Sequence, residues 1–436
     1  MAISPFEERY RTDMNAVFDE RTKLARWMAV EVALAKAHAR LGNVPKDVPA
    51  KIGAAAEKVT LARVIAIEAE IHHDLMAMVK ALTEQAGDAG RYVHLGATSY
   101  DIEDTATALM FLDGIGLLEA HMEKLGKELK RLAIAHKKTV CIGRTHGQHA
   151  VPTTYGMKFA LYYQELKRGV ERLGEAKKRI AVGKMSGAVG TMATFGRKGP
   201  EIQKLVMKEL GLEEAKVTNQ VIQRDRHAEV LCVLALVAAS MEKIGKEIRN
   251  LQRTEIGEVA ESFASRQVGS STMPHKRNPH RSERVCSLSR LVRANVLTAM
   301  ENIALEHERD LTNSANERAI FGESFVAVDY MVLEMTKILA GLVFYPENIK
   351  RNLELTKGLI MAERVMIHLA DKKGMGRQDA HEFVRMVAQQ AFESGRHLKD
   401  IMLEKKVLTK VEADELFDYS TYIGSSEKIV EDAVRD

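Results

Sequence analysis

Proline is scarce in this chain of 436 residues: there are eight, at positions 5, 45, 49, 152, 200, 274, 279 and 346. An interior proline breaks the helical hydrogen-bond ladder, so the long proline-free stretches between them suit long helices. Aromatic residues make up only 5% of the chain. No sustained alternation of β-branched and polar residues is bounded by turn pairs, which argues against a β-rich architecture. Cysteine is sparse as well. Cys141, Cys232 and Cys286 are odd in number and widely spaced, so neither a disulfide framework nor a zinc knuckle is expected, and a reducing compartment fits. Neither sign of charge dominates: 64 basic and 60 acidic residues leave a net +4. With no single-sign block there is little to build a nucleic-acid groove, while small anionic substrates remain open. The longest apolar run, Leu231 to Ala239, falls far short of the roughly 20 residues that span a bilayer. The opening MAISPFEERYRTD lacks the apolar stretch of a secretory leader. The expectation is a cytoplasmic protein with neither a membrane nor a nucleic-acid partner.

What the chain has in quantity is helix-forming pattern. At 46% hydrophobic and 28% charged it can bury a large core and is long enough for two or three domains. Val230, Leu234, Val237, Met241, Ile244, Ile248 and Leu251 recur at spacings of four and three, a heptad seam that predicts a helix from about Arg226 to Phe263. A helix of that length would run about 55 Å at 1.5 Å per residue, which suits an elongated bundle. Core packing within one subunit accounts for the stripe itself; only its length suggests association. Thr22 to Leu41 reads as an amphipathic helix ended by Gly42. Leu61 to Ala86 reads as a second, carrying His72, His73 and Asp74 within it. A stretch at 183–199, GKMSGAVGTMATFGRKG, holds five glycines in seventeen residues. It lacks the GxxxxGK[ST] pattern of a phosphate loop, so a tight connection or a flexible mouth near a site is the better reading.

Four polar clusters are candidates for chemistry. The run Gly269 to Arg281 (GSSTMPHKRNPHR) is basic and bracketed by prolines. Its hydroxyls, free N–H groups, Lys276 and Arg277 suit a carboxylate or phosphate, although a solvated basic loop has the same composition. Gly143 to Ala150 (GRTHGQHA) carries two histidines three apart. No third ligand stands at a metal spacing, so proton transfer is the better functional reading of His146 and His149, against a structural hydrogen-bonding role for either alone. Tyr92 to Asp101 contains His94, Thr98 and Ser99, the last two placed to cap the following helix. His307 to Arg318 is the fourth, and alone it would pass for an exposed helix face.

In their order the clusters resemble one family. GSSTMPHKRNP is similar to the signature loop of the fumarase/aspartase superfamily, whose members eliminate fumarate from substituted succinates. Arg9-Tyr10, His72-His73-Asp74, His94 with Thr98-Ser99, Arg144 to Ala150, Gln220 and the run from His307 to Arg318 look like the adenylosuccinate lyases within it. At position 72 an arginine is common in that family, so His72 is a departure. The resemblance implies an all-α fold of three helical domains, 1–98, 99–350 and 351–436, the central one an elongated helical bundle that forms the core of a homotetramer with active sites shared between subunits. It implies β-elimination of fumarate from adenylosuccinate and from SAICAR, with no cofactor and no metal. By the family pattern Ser270 is the base and His146 the acid, His73 positions the substrate or supports His146, and Lys276 stabilises the carbanion. Arg9, Tyr10, His72, Asp74, His94, Thr98, Ser99, Gln220, Ser271, Asn278, Arg309, Ser314 and Arg318 would hold the substrate. Carboxymuconate cycloisomerase and argininosuccinate lyase, superfamily siblings, are the alternatives; His146 in its Thr-His-Gly-Gln context opposes the former.

Overall fold

The computed structural model describes residues 4–263 and 271–435. Helices dominate it, and the few strands among the described residues form three two-stranded pairs. The chain divides into two compact units. One comprises Met1–Met122, Gly169–Ala239 and Ser287–Leu333; the other comprises Glu123–Arg168, Ser240–Cys286 and Glu334–Asp436. Five long helices, Ser99–Ala135, Tyr155–Ile180, Asp225–Leu251, His280–Glu301 and Ser314–Ala340, contribute residues to both.

In the first unit the helix Glu20–Arg40 begins at Asp19, whose carboxylate accepts the Thr22 N–H at 2.7 Å, and Gly42 follows it in the left-handed region at φ 72°. It buries Leu24, Trp27, Met28 and Leu34 against Ile52, Val64, Leu75 and Leu82. The expected single helix from Leu61 to Ala86 is two, Leu61–Ile71 and Asp74–Ala86. His72, in the left-handed conformation, caps the first, and His73 turns extended to cap the second, its ring accepting the Met76 N–H at 3.4 Å. His72, His73 and Asp74 therefore stand at a junction rather than within a helix. The apolar periodicity runs through the break unchanged, which is why periodicity missed it. The glycine-rich 183–199 stretch proves a tight connection near its start: the buried Lys184 ammonium pairs with buried Asp101, whose carboxylate also accepts the N–H groups of Ser186 and Gly187.

The heptad seam is buried along its whole length, Val230 to Leu251. Its helix, however, stops at Leu251 and has 27 residues rather than nearly forty. Gly257 adopts φ 59°, and Val259–Ala260 pairs instead with Val343–Phe344. The longest helix is Ser99–Ala135, with 37 residues, about 55 Å. In the second unit the strands β1 (Val140–Thr145) and β2 (Gln148–Thr154) form an antiparallel hairpin, which a reading of scarce strand did not anticipate. Ile142 from this hairpin joins a C-terminal core of Leu353, Val365, Leu369, Val384, Leu398 and Leu416.

Candidate active site

The hairpin of the second unit presents His146. A two-residue reversal of type I′ needs positive φ at both central positions, and His146 and Gly147 have φ 53° and 74°. The turn leaves His146 exposed at the tip. Behind it the ladder shifts register between Ile142 and Arg144. Gly143 sits at that shift, where a Cβ would come within 2.8 Å of the Val151 carbonyl oxygen. The base of the tip is anchored on Glu258, which is fully buried and accepts from Arg144, from the Tyr155 hydroxyl and from Asn352 at 2.8 Å. On β2, burial and the Arg144 charge lower the pKa of His149. In the same unit Lys276 and Ser271 are exposed and Asn278 is half-buried. Gln252 donates to the Arg277 carbonyl at 3.0 Å, and Glu261 accepts from both the N–H and the hydroxyl of Ser282 at 2.6 Å. These bonds hold the stem of the signature segment. Ser270, the expected base, lies outside the described residues.

The first unit gathers most of the expected substrate-binding residues. Arg309 is the centre. Its guanidinium lies 3.6 Å from the centre of the Tyr100 ring, and one nitrogen donates to Gln220 at 3.0 Å. Its Nε and Nη2 are buried without a partner among the described residues. A buried planar fork with two bare donors is built for an oxyanion. Ser314 and Arg318 line a neighbouring cavity of about 120 Å³ together with Asp74, Tyr100 and Glu103, under the apolar walls of Phe18, Trp27, Phe111 and Phe321. Arg318 binds Asp74 at 2.6 Å. Burial opposes ionisation of Asp74, but Arg318, the Leu75 N–H and Lys23 together outweigh it and lower its pKa. Arg224, buried, supports the cavity from Asp104 at 2.8 Å and Glu317 at 2.9 Å.

Other expected residues lie apart from that cavity's lining. Arg9 is exposed, and the Tyr10 ring packs on Tyr330 with centroids 5.1 Å apart. His72 and His73 are exposed at the helix junction. Thr98 and Ser99 begin the Ser99–Ala135 helix, where the Thr98 N–H is capped by Asp101 at 2.9 Å. His94 is held by Glu31, its ring Nδ1 2.6 Å from one carboxylate oxygen. Neither Glu31 nor Glu103, Arg224 or Glu258 was singled out in the sequence. Glu31 carries a legible signal: with Trp27, Met28, Leu34 and His38 it falls on the apolar face of its helix, and a charge there requires a partner.

Comparison with known proteins places these features in a family. Residues 7–294 match the family described as Lyase, and residues 358–433 match Adenylosuccinate lyase C-terminus. The adenylosuccinate lyase of Pyrococcus horikoshii is 54% identical over 100% of this chain and 98% of its own. That of Methanocaldococcus jannaschii is 51% identical over 100% and 96%. Among solved structures, 3-carboxy-cis,cis-muconate lactonizing enzyme from Pseudomonas putida superposes with a TM-score of 0.90 at 35% identity, covering 99% of this chain and 98% of that one.

Proposed function

This chain belongs to the adenylosuccinate lyases of the fumarase/aspartase superfamily, and on that premise we propose that it splits adenylosuccinate into AMP and fumarate, and SAICAR into AICAR and fumarate. The observation that carries the substrate reading is the buried Arg309 fork, with two unspent donors beside Tyr100 and a cavity lined by Ser314 and Arg318. A phosphate presents the oxygens such a fork binds. Arg9, Tyr10 and Gln220 belong to the same nucleotide-holding set, while Asp74, His72, His94, Thr98 and Ser99 hold the remainder of the substrate. A muconate carries no phosphate for such a fork to bind.

The reaction is an elimination. Ser270 takes a proton from the carbon next to a succinyl carboxylate, and the electron pair left behind is stabilised by Lys276, Ser271 and Asn278 through charge and hydrogen bonds. The carbon–nitrogen bond then breaks, its electrons go to nitrogen, and His146 donates the proton that nitrogen needs. His73 supports His146 and the substrate. Serine is a weak base at its ordinary pKa, so its activation requires the surrounding positive charge. The active form is a cytoplasmic homotetramer whose sites draw residues from more than one subunit, and the segments 1–98, 99–350 and 351–436 are its three domains.

Parallel assays decide the substrate. With adenylosuccinate, argininosuccinate and aspartate followed by fumarate release, malate by conversion to fumarate and 3-carboxymuconate by lactone formation, only adenylosuccinate should be turned over efficiently. His146→Ala should lower turnover by at least about a hundredfold, the lower range for acid–base catalysis. Near-normal turnover by folded His146→Ala refutes its role as the acid, and equal turnover of a muconate refutes the substrate reading.

A further inference from the structure

We propose that Glu31 is a positioning residue that fixes the ring of His94, so that its Nε2 faces an anionic group of the substrate. This rests on the reading of His94 as a substrate contact. Glu31 lies in the middle of the helix Glu20–Arg40, between buried Val30, Ala33 and Leu34, and its side chain is fully buried. A carboxylate so enclosed is stable only when its oxygens are bonded. Both are used on a single residue: one accepts the backbone N–H of His94 at 2.9 Å and the other meets its ring Nδ1 at 2.6 Å. His94 has φ 60°, a left-handed conformation that costs about 1 kcal/mol or more outside glycine. The carboxylate thus pins a strained backbone and a ring together. With Nδ1 carrying the bonded proton, Nε2 is the nitrogen left for a ligand.

Neighbouring groups stiffen the same loop. His38, seven residues along the same helix, holds the Leu95 carbonyl through Nε2 at 2.9 Å, with its other nitrogen on Asn43. The Thr194 hydroxyl donates to the Gly96 carbonyl. The charged and titratable groups around the ring are Glu31 and His38 from the Glu20–Arg40 helix and Asp101 from the Ser99–Ala135 helix, the last paired with Lys184; Lys198 acts on His38. Burial works against a charged His94, but the Glu31 bond and the charges of Glu31 and Asp101 outweigh it and raise the pKa. At neutral pH the ring is then held towards its cationic form, and Nε2–H is a charged donor to an anion. Once pH rises through the raised pKa, Nε2 presents a lone pair instead, and substrate binding weakens.

The test is the pH dependence of kcat and KM for the full-length assembled enzyme, in Glu31→Gln, Glu31→Asp, His94→Gln and Glu31→Gln/His94→Gln, each against wild type with adenylosuccinate. Glu31→Gln should raise KM about tenfold or more with kcat changed only a few-fold. It should also shift the alkaline loss of binding to lower pH. Glu31→Asp, which keeps the charge, should restore much of the wild-type profile, and the double variant should be no worse than His94→Gln alone. If His94→Gln impairs binding while both Glu31 variants keep the wild-type profile, or if the two effects multiply, the positioning role is wrong and the substrate contact stands. If His94→Gln itself leaves kcat, KM and the profile unchanged, the contact fails and the proposal with it.

Discussion

Glu103 should make the protein less stable as pH rises through neutrality. Its carboxyl lines the Tyr100 cavity, where Asp74 is committed to Arg318 and Asp104 to Arg224. No ion-pair partner reaches Glu103 among the described residues. Burial, then repulsion from Asp74 and Asp104, pushes its pKa from the ordinary 4.5 to about 8. A carboxyl with a raised folded pKa binds a proton in the folded state that the unfolded chain has already lost. The stability this gives is complete below the unfolded pKa and disappears as pH climbs through the folded one. At about 1.4 kcal/mol per unit, the loss between pH 5 and pH 9 is about 4 kcal/mol, of which about 1.4 kcal/mol falls between pH 7 and pH 9. Water entering the cavity would reduce both figures, so they are ceilings. Glu103→Gln keeps the shape and removes the titration. Urea unfolding of both proteins at equal subunit concentration, at pH 5, 7 and 9, isolates the term, because every other group titrates in both. The variant should gain steadily on wild type as pH rises. A difference between them that is flat from pH 5 to pH 9 would refute the argument.

Two further outcomes can be measured, the first on the hairpin anchor and the second on the proposed shared sites. Glu258→Ala strands the Arg144 guanidinium and the Tyr155 hydroxyl, which should cost about 3 kcal/mol as the loss of one partner from a buried pair; urea denaturation showing a loss under 1 kcal/mol would contradict the anchoring of the hairpin. If His146 and Ser270 reach one site from different subunits, mixing inactive His146→Ala and Ser270→Ala enzymes under subunit exchange should restore activity, with about one site in four wild-type at both positions in a random equal mixture. No recovery despite demonstrated exchange would put both residues on one chain.

Much of the fold was legible because helices buried on one face repeat their apolar residues at 3.6-residue spacing. Leu234, Met241 and Ile248 announced the Asp225–Leu251 helix in that way, and all three are buried. Periodicity says nothing about where a helix yields, so the stop at Leu251 and the break at His72 were lost. The break depends on the backbone conformation of a single residue, His72, and the stop gives way to turns that lead to Gly257. The helix Ser99–Ala135 was anticipated at its start, from Thr98 and Ser99 as caps, but its length went unread for a different reason. It buries Ile102, Ala106, Phe111 and Ile115 in one unit and Leu125, Leu129 and Leu132 in the other, and a helix apolar on much of its circumference has no single clear stripe. The hairpin was hidden by Gly143, Gly147 and Pro152, which read as loop in a strand-poor sequence. Local motifs marked Arg309, Ser314, Arg318 and His94. Their supports were not marked, because Glu31 is 63 residues from His94 and Glu258 is 114 from Arg144.

Backbone strain gives an independent view of where this chain spends stability. Seven non-glycine residues have positive φ among the described residues, and four are histidines: His72, His94, His146 and His307. Glycine would hold each position at lower conformational strain, so an imidazole there costs about 1 kcal/mol or more that something must offset. At His94 the offset is visible in the two bonds to buried Glu31. At His146 it is not, since the ring is exposed at the tip of a I′ turn and bonds no described residue. A left-handed residue at the apex of a reversal projects its side chain clear of the ladder it closes, which is the placement a proton donor needs to reach a ligand from outside its own hairpin. The strain at His146 therefore makes physical sense if its partner is the substrate, whereas at His94 the compensating bonds to Glu31 lie within the fold and leave Nε2 for the substrate.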